Sequence, residues 1–376
     1  MPIQRFVRAQ RILYCAALVL APAMFAQAPP KQQMADDVFK NIQVLKGLTV
    51  DEFMGTMGLF SAALNVCCGD CHTGAGGDHP KWEDDTRPRK KAARRMVEVM
   101  KKVNHDNFGG GQAVTCWTCH RGSGSPSTTP SIDAIYSDPV VVQPDVLPQA
   151  SAGSVQPTVD QVFDKYIQAL GGAEALEKLT SYTAKGTTLL YDASRRDPTE
   201  MYAEAPGKLA TIVQQREGEM ARVSDGHAAW VMLPLTVVQR YALNGSALEG
   251  GKLDAQMAFP GGMRRFFDSW RVSYPATIDG REMYVVQGSR PGLLATFYFD
   301  KQTGLLARMV RYANSAVGRV PTQIDFADYR PIAGVQLPFK RTYGWVSGRE
   351  ECTLTDIQPN VAIDQTKFTQ PELSSR

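Results

Sequence analysis

Apolar residues recur at helical intervals in the N-terminal third of the chain. Thr49-Val-Asp-Glu52 has the spacing of a capping box, and Phe53, Met57, Phe60 and Leu64 follow at steps of three and four. That predicts a helix running straight into Cys68. A shorter helix is predicted over 36–45. Another is predicted over 88–103, with Met96, Met100 and Val103 on one face and Gly109-Gly-Gly111 as its stop. Beyond residue 158 the period changes. One amphipathic helix, carrying Val162, Phe163, Tyr166, Ile167 and Leu170, ends at Gly171-Gly172. Strand-like runs follow at 182–191, 208–215, 228–233, 282–287, 294–299, 305–312, 322–329, 338–345 and 351–357. Asp300-Lys-Gln-Thr-Gly304 reads as a hairpin turn. Strands in succession, with no helices between them, predict an antiparallel meander curled into a barrel or half-barrel.

Two domains of different class are therefore expected. A mainly α unit spans 34–122, and an antiparallel β half-barrel with an N-terminal helix (α+β) spans 158–376. Between them, 123–157 is rich in Pro, Ser, Thr and Gln and reads as a linker. The first 28 residues read as a secretory signal. Arg5, Arg8 and Arg11 precede a nine-residue apolar run at 12–20, too short to span a bilayer, and small residues lead to a cleavage point near Ala26 to Ala28. An uncleaved anchor is the alternative, and peripheral association with a membrane is a further arrangement open to the chain. Cys15 has no lipoprotein box before it. The expected compartment is the periplasm. With 43% hydrophobic residues, 21% charged residues and a net charge of +3, nothing points to nucleic acid.

The chemistry lies in two short motifs, Cys68-Gly-Asp-Cys71-His72 and Cys116-Trp-Thr-Cys119-His120. The two-residue gap lets both thiols form thioethers to one porphyrin, and the following His then ligates its iron. A lone CxxCH could also be a zinc knuckle or a redox dithiol. Two copies in an exported chain point instead to two covalently bound haem c groups, since a four-Cys zinc site would leave both His residues unexplained. Cys67 lacks the motif spacing. Cys67 and Cys352 are the two remaining cysteines of the expected mature chain, and an oxidising compartment permits a disulfide between them.

A sixth ligand separates electron transfer from catalysis, because a Met closes the iron and raises its potential. Met57 lies 11 residues before Cys68 and Met96 lies 20 before Cys116, each on the helix feeding a motif. Met54 and Met100 compete with them, and core packing is the alternative role for all four. His227 reads as a turn residue, and His105 as a helix C-terminal residue that could cap or ligate. Residues 81–102 hold nine Lys or Arg against four Asp or Glu, either a solvated helix face or a surface that steers an acidic redox partner.

Val38-Phe-Lys-Asn-Ile-Gln-Val-Leu-Lys-Gly, Ala93-Arg-Arg-Met96 and Val114-Thr-Cys-Trp-Thr-Cys-His-Arg-Gly122 together resemble the cytochrome c subunit of photosynthetic reaction centres. The resemblance covers about residues 36–122. It implies that each haem packs parallel to a helix carrying its sixth ligand, usually Met, with Met96 and Met57 at the matching positions. The family's full subunit holds four haems in two such halves, and one half is present here, so respiratory or general periplasmic electron transfer is expected as much as a photosynthetic role. Ile324-Asp-Phe-Ala-Asp-Tyr-Arg-Pro and Gly334-Val-Gln-Leu-Pro-Phe-Lys more weakly resemble lipoprotein-carrier and outer-membrane lipoprotein-sorting proteins. That likeness implies a half-open β-barrel whose concave face can shelter an apolar group.

The function expected is one-electron transfer between redox partner proteins that the sequence does not name, and no catalysis. A dihaem peroxidase-like enzyme would need one open iron and an acid–base group, for which His79 and Glu52 are available without a clear pattern. A binder of lipid or lipoprotein carrying a haem domain as redox sensor is the third reading.

Overall fold

The computed structural model describes residues 32–373, apart from 78, 127, 130–155, 191–193 and 235. The expected signal over 1–28 lies outside the described residues, as does most of the expected linker over 123–157. Among the described residues, no helix is long and apolar enough to cross a membrane.

The N-terminal part holds helices α1 (Ala35–Val38), α2 (Val50–Leu64), α3 (Cys68–Cys71), α4 (Pro88–Phe108) and α5 (Cys116–His120). The capping box forms as expected, with the Glu52 carboxylate accepting from the Thr49 N–H at 3.1 Å. The helix expected over 36–45 stops after one turn. Phe39 is extended and Asn41 is left-handed. The reason is that its apolar residues serve two destinations. Val38 and Phe39 pack beside Val50 and Tyr241, whereas Ile42, Val44 and Leu45 join Leu59 and Val97. A single helical face could not reach both. Helix α4 runs five residues past the expected end and closes on Gly109, left-handed at φ 60°.

After α6 (Val159–Ala169) and α7 (Ala173–Lys178) the chain forms an antiparallel meander. Its strands are β1 (Ser181–Leu190), β2 (Arg196–Glu204), β3 (Lys208–Gln215), β4 (Gly218–Ser224), β5 (Ala229–Met232), β6 (Arg240–Ala242), β7 (Ser269–Val272), β8 (Ala276–Ile278), β9 (Arg281–Arg290), β10 (Leu293–Asp300), β11 (Leu306–Ser315), β12 (Gly318–Ile332), β13 (Val335–Trp345) and β14 (Gly348–Pro359). Neighbours in sequence pair throughout most of the sheet, and β1 pairs β14, so the two halves join through the first and last strands. The result is a curled half-barrel with β6 and β7 at its edges.

Strand β2 escaped the periodicity because its inward positions begin with Asp197 and Thr199, both buried. Thr199 shares a 2.8 Å hydroxyl contact with Thr188, and Asp197 pairs with Arg195, so polar groups there satisfy one another. The expectation of no intervening helix is also corrected. Helix α8 (Gly245–Gln256) and the short α9 (Met263–Phe266) sit between β6 and β7. Gly245, Gly250 and Gly251 make α8 a poor helix by propensity. Tertiary contacts compensate: Asp254 takes a two-pronged ion pair from Arg311 at 2.9 and 2.7 Å.

Residues of α6, α8 and α9 fill the covered face of the sheet. Val162, Phe163, Tyr166, Leu170, Leu253 and Met263 pack against Phe297, Phe299, Leu306 and Met309. The end of α6 fits only as glycine. Gly171 is at φ 115°, and a side chain there would run into the Gly334 carbonyl. The expected turn after β10 forms, with Asp300 Oδ1 accepting from the N–H groups of Gln302 and Thr303 at 2.8 Å.

The helical part docks on this sheet. Val317, from the turn between β11 and β12, is fully buried among Leu45, Leu59, Val97 and Met100. Beyond edge strand β6, Asp51 at the start of α2 accepts from the Asn244 N–H at 2.7 Å, and Val50 packs on Val238 and Tyr241.

Phe297 is wholly buried, with the rings of Phe267, Trp270 and Phe299 at 5.7, 5.5 and 6.4 Å. Phe297→Ala is expected to lower the stability of the sheet by about 3–5 kcal/mol, measured as an earlier urea transition in far-ultraviolet circular dichroism.

Candidate functional site

Both Cys-x-x-Cys-His segments fold as single helical turns, α3 and α5. A turn of this length puts both sulfurs on one side and carries the following His round with them. At α3, Cys67 stands at the N-cap, and its N–H donates to Asp70 at 3.0 Å. At α5, Thr115 and Thr118 cap reciprocally. Cys68 and Cys119 are exposed, while Cys71 and Cys116 are half-buried. Burial pushes the Cys71 and Cys116 thiols up. Among the described residues, no three His, Cys, Asp or Glu side chains gather to hold a metal ion.

The imidazoles share one arrangement. His72 Nδ1 lies 3.1 Å from the Trp82 carbonyl oxygen, and His120 Nδ1 lies 3.0 Å from that of Ser123. A carbonyl only accepts, so each Nδ1 carries the proton and each Nε2 keeps its lone pair for a metal. Trp82 is itself fixed, because its carbonyl also accepts from Lys90 at 2.8 Å, and its ring lies 5.2 Å from the His72 ring. Ser123 is brought back by left-handed Arg121 (φ 50°) and Gly122 (φ 83°), and the Gly122 N–H ties α5 to α2 through the Ala63 carbonyl at 3.0 Å. Burial lowers the proton affinity of His72, which favours the neutral ring a metal needs.

The helices supply a second shared feature. On α2 the buried side is Thr56, Leu59 and Ala63, while Phe53, Met57, Phe60 and Leu64 stay half-buried. On α4 the buried side is Val97, Met100 and Asn104. Met96 and Val99 are 45% and 51% exposed, with Val103 next on the same stripe. This corrects the expected grouping of Met96 with Met100: Met100 belongs to the core and Met96 does not. Met54 faces the sheet-side cluster of Val50 and Tyr241. Each helix thus leaves one Met-bearing apolar stripe incompletely covered, and Trp117 beside the second motif is 47% exposed. A flat apolar group fits such stripes. The residues present therefore suit a porphyrin: thiol pairs, a prepared imidazole nitrogen, and an apolar wall with a soft sulfur.

Periodicity gave no sign of several supporting residues. Buried Asn104 holds the approach to α5, donating to the Val114 carbonyl at 2.7 Å and accepting from its N–H at 2.9 Å. Much of the basic run at 81–102 braces the fold. Arg94 and Lys90 pair with Asp85 at 2.7 and 3.2 Å, Arg89 pairs with Asp70, Lys102 pairs with Asp106, and Lys101 reaches the Val44 carbonyl. His105 is exposed and contacts Asp106, while Gly109 ends α4. His227 lies in the turn that Asp225 caps, as expected. Cys67 is exposed and Cys352 is buried in β14. Both are free thiols, so they do not pair.

Residues 4–152 match the family described as photosynthetic reaction centre cytochrome C subunit. The photosynthetic reaction center cytochrome c subunit of Roseobacter denitrificans is 34% identical over 103 residues, 26% of this chain and 27% of that one. That of Rubrivivax gelatinosus is 34% identical over 110 residues, 28% of each chain. That of Thermochromatium tepidum is 35% identical over 96 residues, 24% of this chain and 22% of that one. The chain thus spans about a quarter of the length of these curated relatives. Among solved structures, a putative outer membrane lipoprotein-sorting protein domain from Vibrio parahaemolyticus is similar at 12% identity, covering 55% of this chain and 94% of that one, with a TM-score of 0.38. A LolA superfamily protein from Nitrosomonas europaea aligns at 13% identity over 57% of this chain and 98% of that one, with a TM-score of 0.37.

The Arg94 hydrogen bond, foremost among its contacts, holds the Asp85 carboxyl well below the usual carboxylate range. A depressed carboxylate stabilises the fold above its unfolded value, near pH 4, and loses that contribution as pH falls through the lowered folded value. Asp85→Asn is therefore expected to cost about 1 kcal/mol at pH 7, the pair being partly solvated. The difference from wild type should shrink below about pH 4, as read by urea titrations at several pH values.

Proposed function

We propose that this chain is an exported dihaem c-type cytochrome that transfers single electrons in the periplasm. In this reading residues 1–28 are a signal, 34–122 are the dihaem domain, 123–157 are a linker, and 158–376 are the half-barrel domain. The observation that carries it is the repeated arrangement just described. Each motif has an imidazole with Nδ1 committed to a main-chain carbonyl, and each follows a helix with a partly uncovered, Met-bearing apolar stripe.

Cys68 and Cys71 would hold one haem and Cys116 and Cys119 the other. His72 and His120 would ligate the irons through Nε2, and Met57 and Met96 would supply the sixth ligands. The haem iron supplies a one-electron couple when bound. The chain's own residues do the rest. The carbonyls of Trp82 and Ser123 fix the ring orientations, the α2 and α4 stripes exclude water, and the methionines close the positions an enzyme would leave open. With the iron positions held by thioethers nothing would exchange when an electron arrives or leaves, as a carrier requires and a peroxidase does not. The partners are redox proteins. Of the basic run not used in bracing, Lys91 and Arg95 beside Met96 offer an approach for an acidic one.

Expression with a working c-type maturation system should yield a mature chain heavier by two haems, and Cys116→Ser with Cys119→Ser should leave one. Both haems are expected to be low-spin and slow to bind carbon monoxide, and Met96→Leu should open one of them to it. Absence of covalent haem by mass spectrometry, or rapid carbon monoxide binding by the unaltered protein, would refute the reading.

A further inference from the structure

Helix α2 has two functional sides. Phe53, Met57, Phe60 and Leu64 lie along one. Roughly opposite them, at about 100° per residue, come Gly55, Gly58, Leu59 and Ala62. Two hairpin turns of the β domain reach this second side. Val320 Cγ2 stands 3.7 Å from where a side chain on Gly55 would begin. Val346 Cγ2 and Ser347 Oγ, in the turn between β13 and β14, stand 3.2 and 3.4 Å from the same point on Gly58. The turn between β11 and β12 completes the grip. Val317 is fully buried against Leu59, and the Ala316 N–H faces Thr56 Oγ1 at 3.4 Å. Gln112 donates to the Ser315 carbonyl at 2.8 Å, and a side chain on Gly318 would meet Leu59 at 2.8 Å and Thr115 at 3.3 Å. Thus the same turn touches both α2 and the loop that delivers Cys116.

Glycine inside a helix is less stable than alanine, and at Gly58 a Cβ would press on Val346 at 3.2 Å, whereas at Gly55 it would fit in ordinary contact with Val320 at 3.7 Å. A domain that merely shared the chain would not need the Gly58 notch. We propose that the 315–318 and 345–348 turns are positioning elements of the haem site. They fix the height and rotation of α2, and through it the sulfur of Met57 over the iron held at His72. This rests on Met57 being that iron's ligand. The β domain then acts as the outer wall of the cytochrome, and Gly58, Val317 and Val346 are positioning residues for its potential.

The test uses the full-length holoprotein and three variants, with the midpoint potential of each haem measured by spectroelectrochemistry and the sulfur-to-iron charge-transfer absorption recorded alongside. Gly58→Ala adds a methyl group against Val346 and is expected to lower the potential of one haem and weaken the absorption, because a loosened thioether no longer raises the potential. Adding Val346→Ala removes the obstruction and should restore both. Val317→Ala, which loosens the grip without adding bulk, should lower the same potential and serves if Gly58→Ala fails to fold. Alanine is the better helix former, so a purely structural role predicts a changed melting temperature with unmoved potentials. That result, equal shifts in both haems, or failure of Val346→Ala to restore would overturn the proposal. Met57→Leu separates the two ideas. If it leaves the absorption intact, the ligation reading fails and takes this proposal with it. If it abolishes the absorption while Gly58→Ala and Val317→Ala change nothing, the positioning proposal alone fails.

Discussion

The structure depends on α2 being packed from two directions at once. Its Thr56, Leu59 and Ala63 side is buried against the sheet's turns and the second Cys-x-x-Cys-His turn, leaving the Phe53, Met57, Phe60 and Leu64 side partly uncovered. Everything that defines the site hangs from this helix or touches it. The first motif follows its C-terminus, and the second is tied to it through Gly122 and Ala63. A helix held on one side only would have no fixed rotation, and the uncovered stripe would have no fixed direction.

Both motifs obtain an oriented imidazole by different local means. At His72 the carbonyl comes from a loop between α3 and α4, held in place by Lys90. At His120 it comes three residues later in the same chain, through two left-handed residues. The two imidazoles thus make the same nitrogen-to-carbonyl contact by different local routes.

The half-barrel domain satisfies its own demands. Several of its polar interior positions are paired: Thr188 with Thr199, Asp254 with Arg311, and Glu350 with Arg222. Arg341 on β13 is the exception, buried with its Nε unpartnered and its other nitrogens reaching only Met201 Sδ at 3.4 Å and the Tyr182 hydroxyl at 3.5 Å. Helices α6, α8 and α9 fill its covered face with aromatic and aliphatic side chains. The sheet can therefore serve as a rigid support while its turns meet the helical part.

What the sequence determined by itself was local and chemical. The two Cys-x-x-Cys-His turns, the capping box at Thr49, helices α2, α4 and α6 and nine of the strands were legible, because each is written in residue spacing within a single element. Strand β2 was hidden by polar residues facing inward, and α8 by its glycines, since partners distant in sequence satisfy both. Only tertiary structure could divide the methionines. Met54 and Met100 share helices and composition with Met57 and Met96, and neighbouring elements decide which sides of α2 and α4 are covered. The meeting of Val317 and Val346 with α2 lies further beyond sequence reading, because it joins residues some 260–290 positions apart whose only local mark is a glycine.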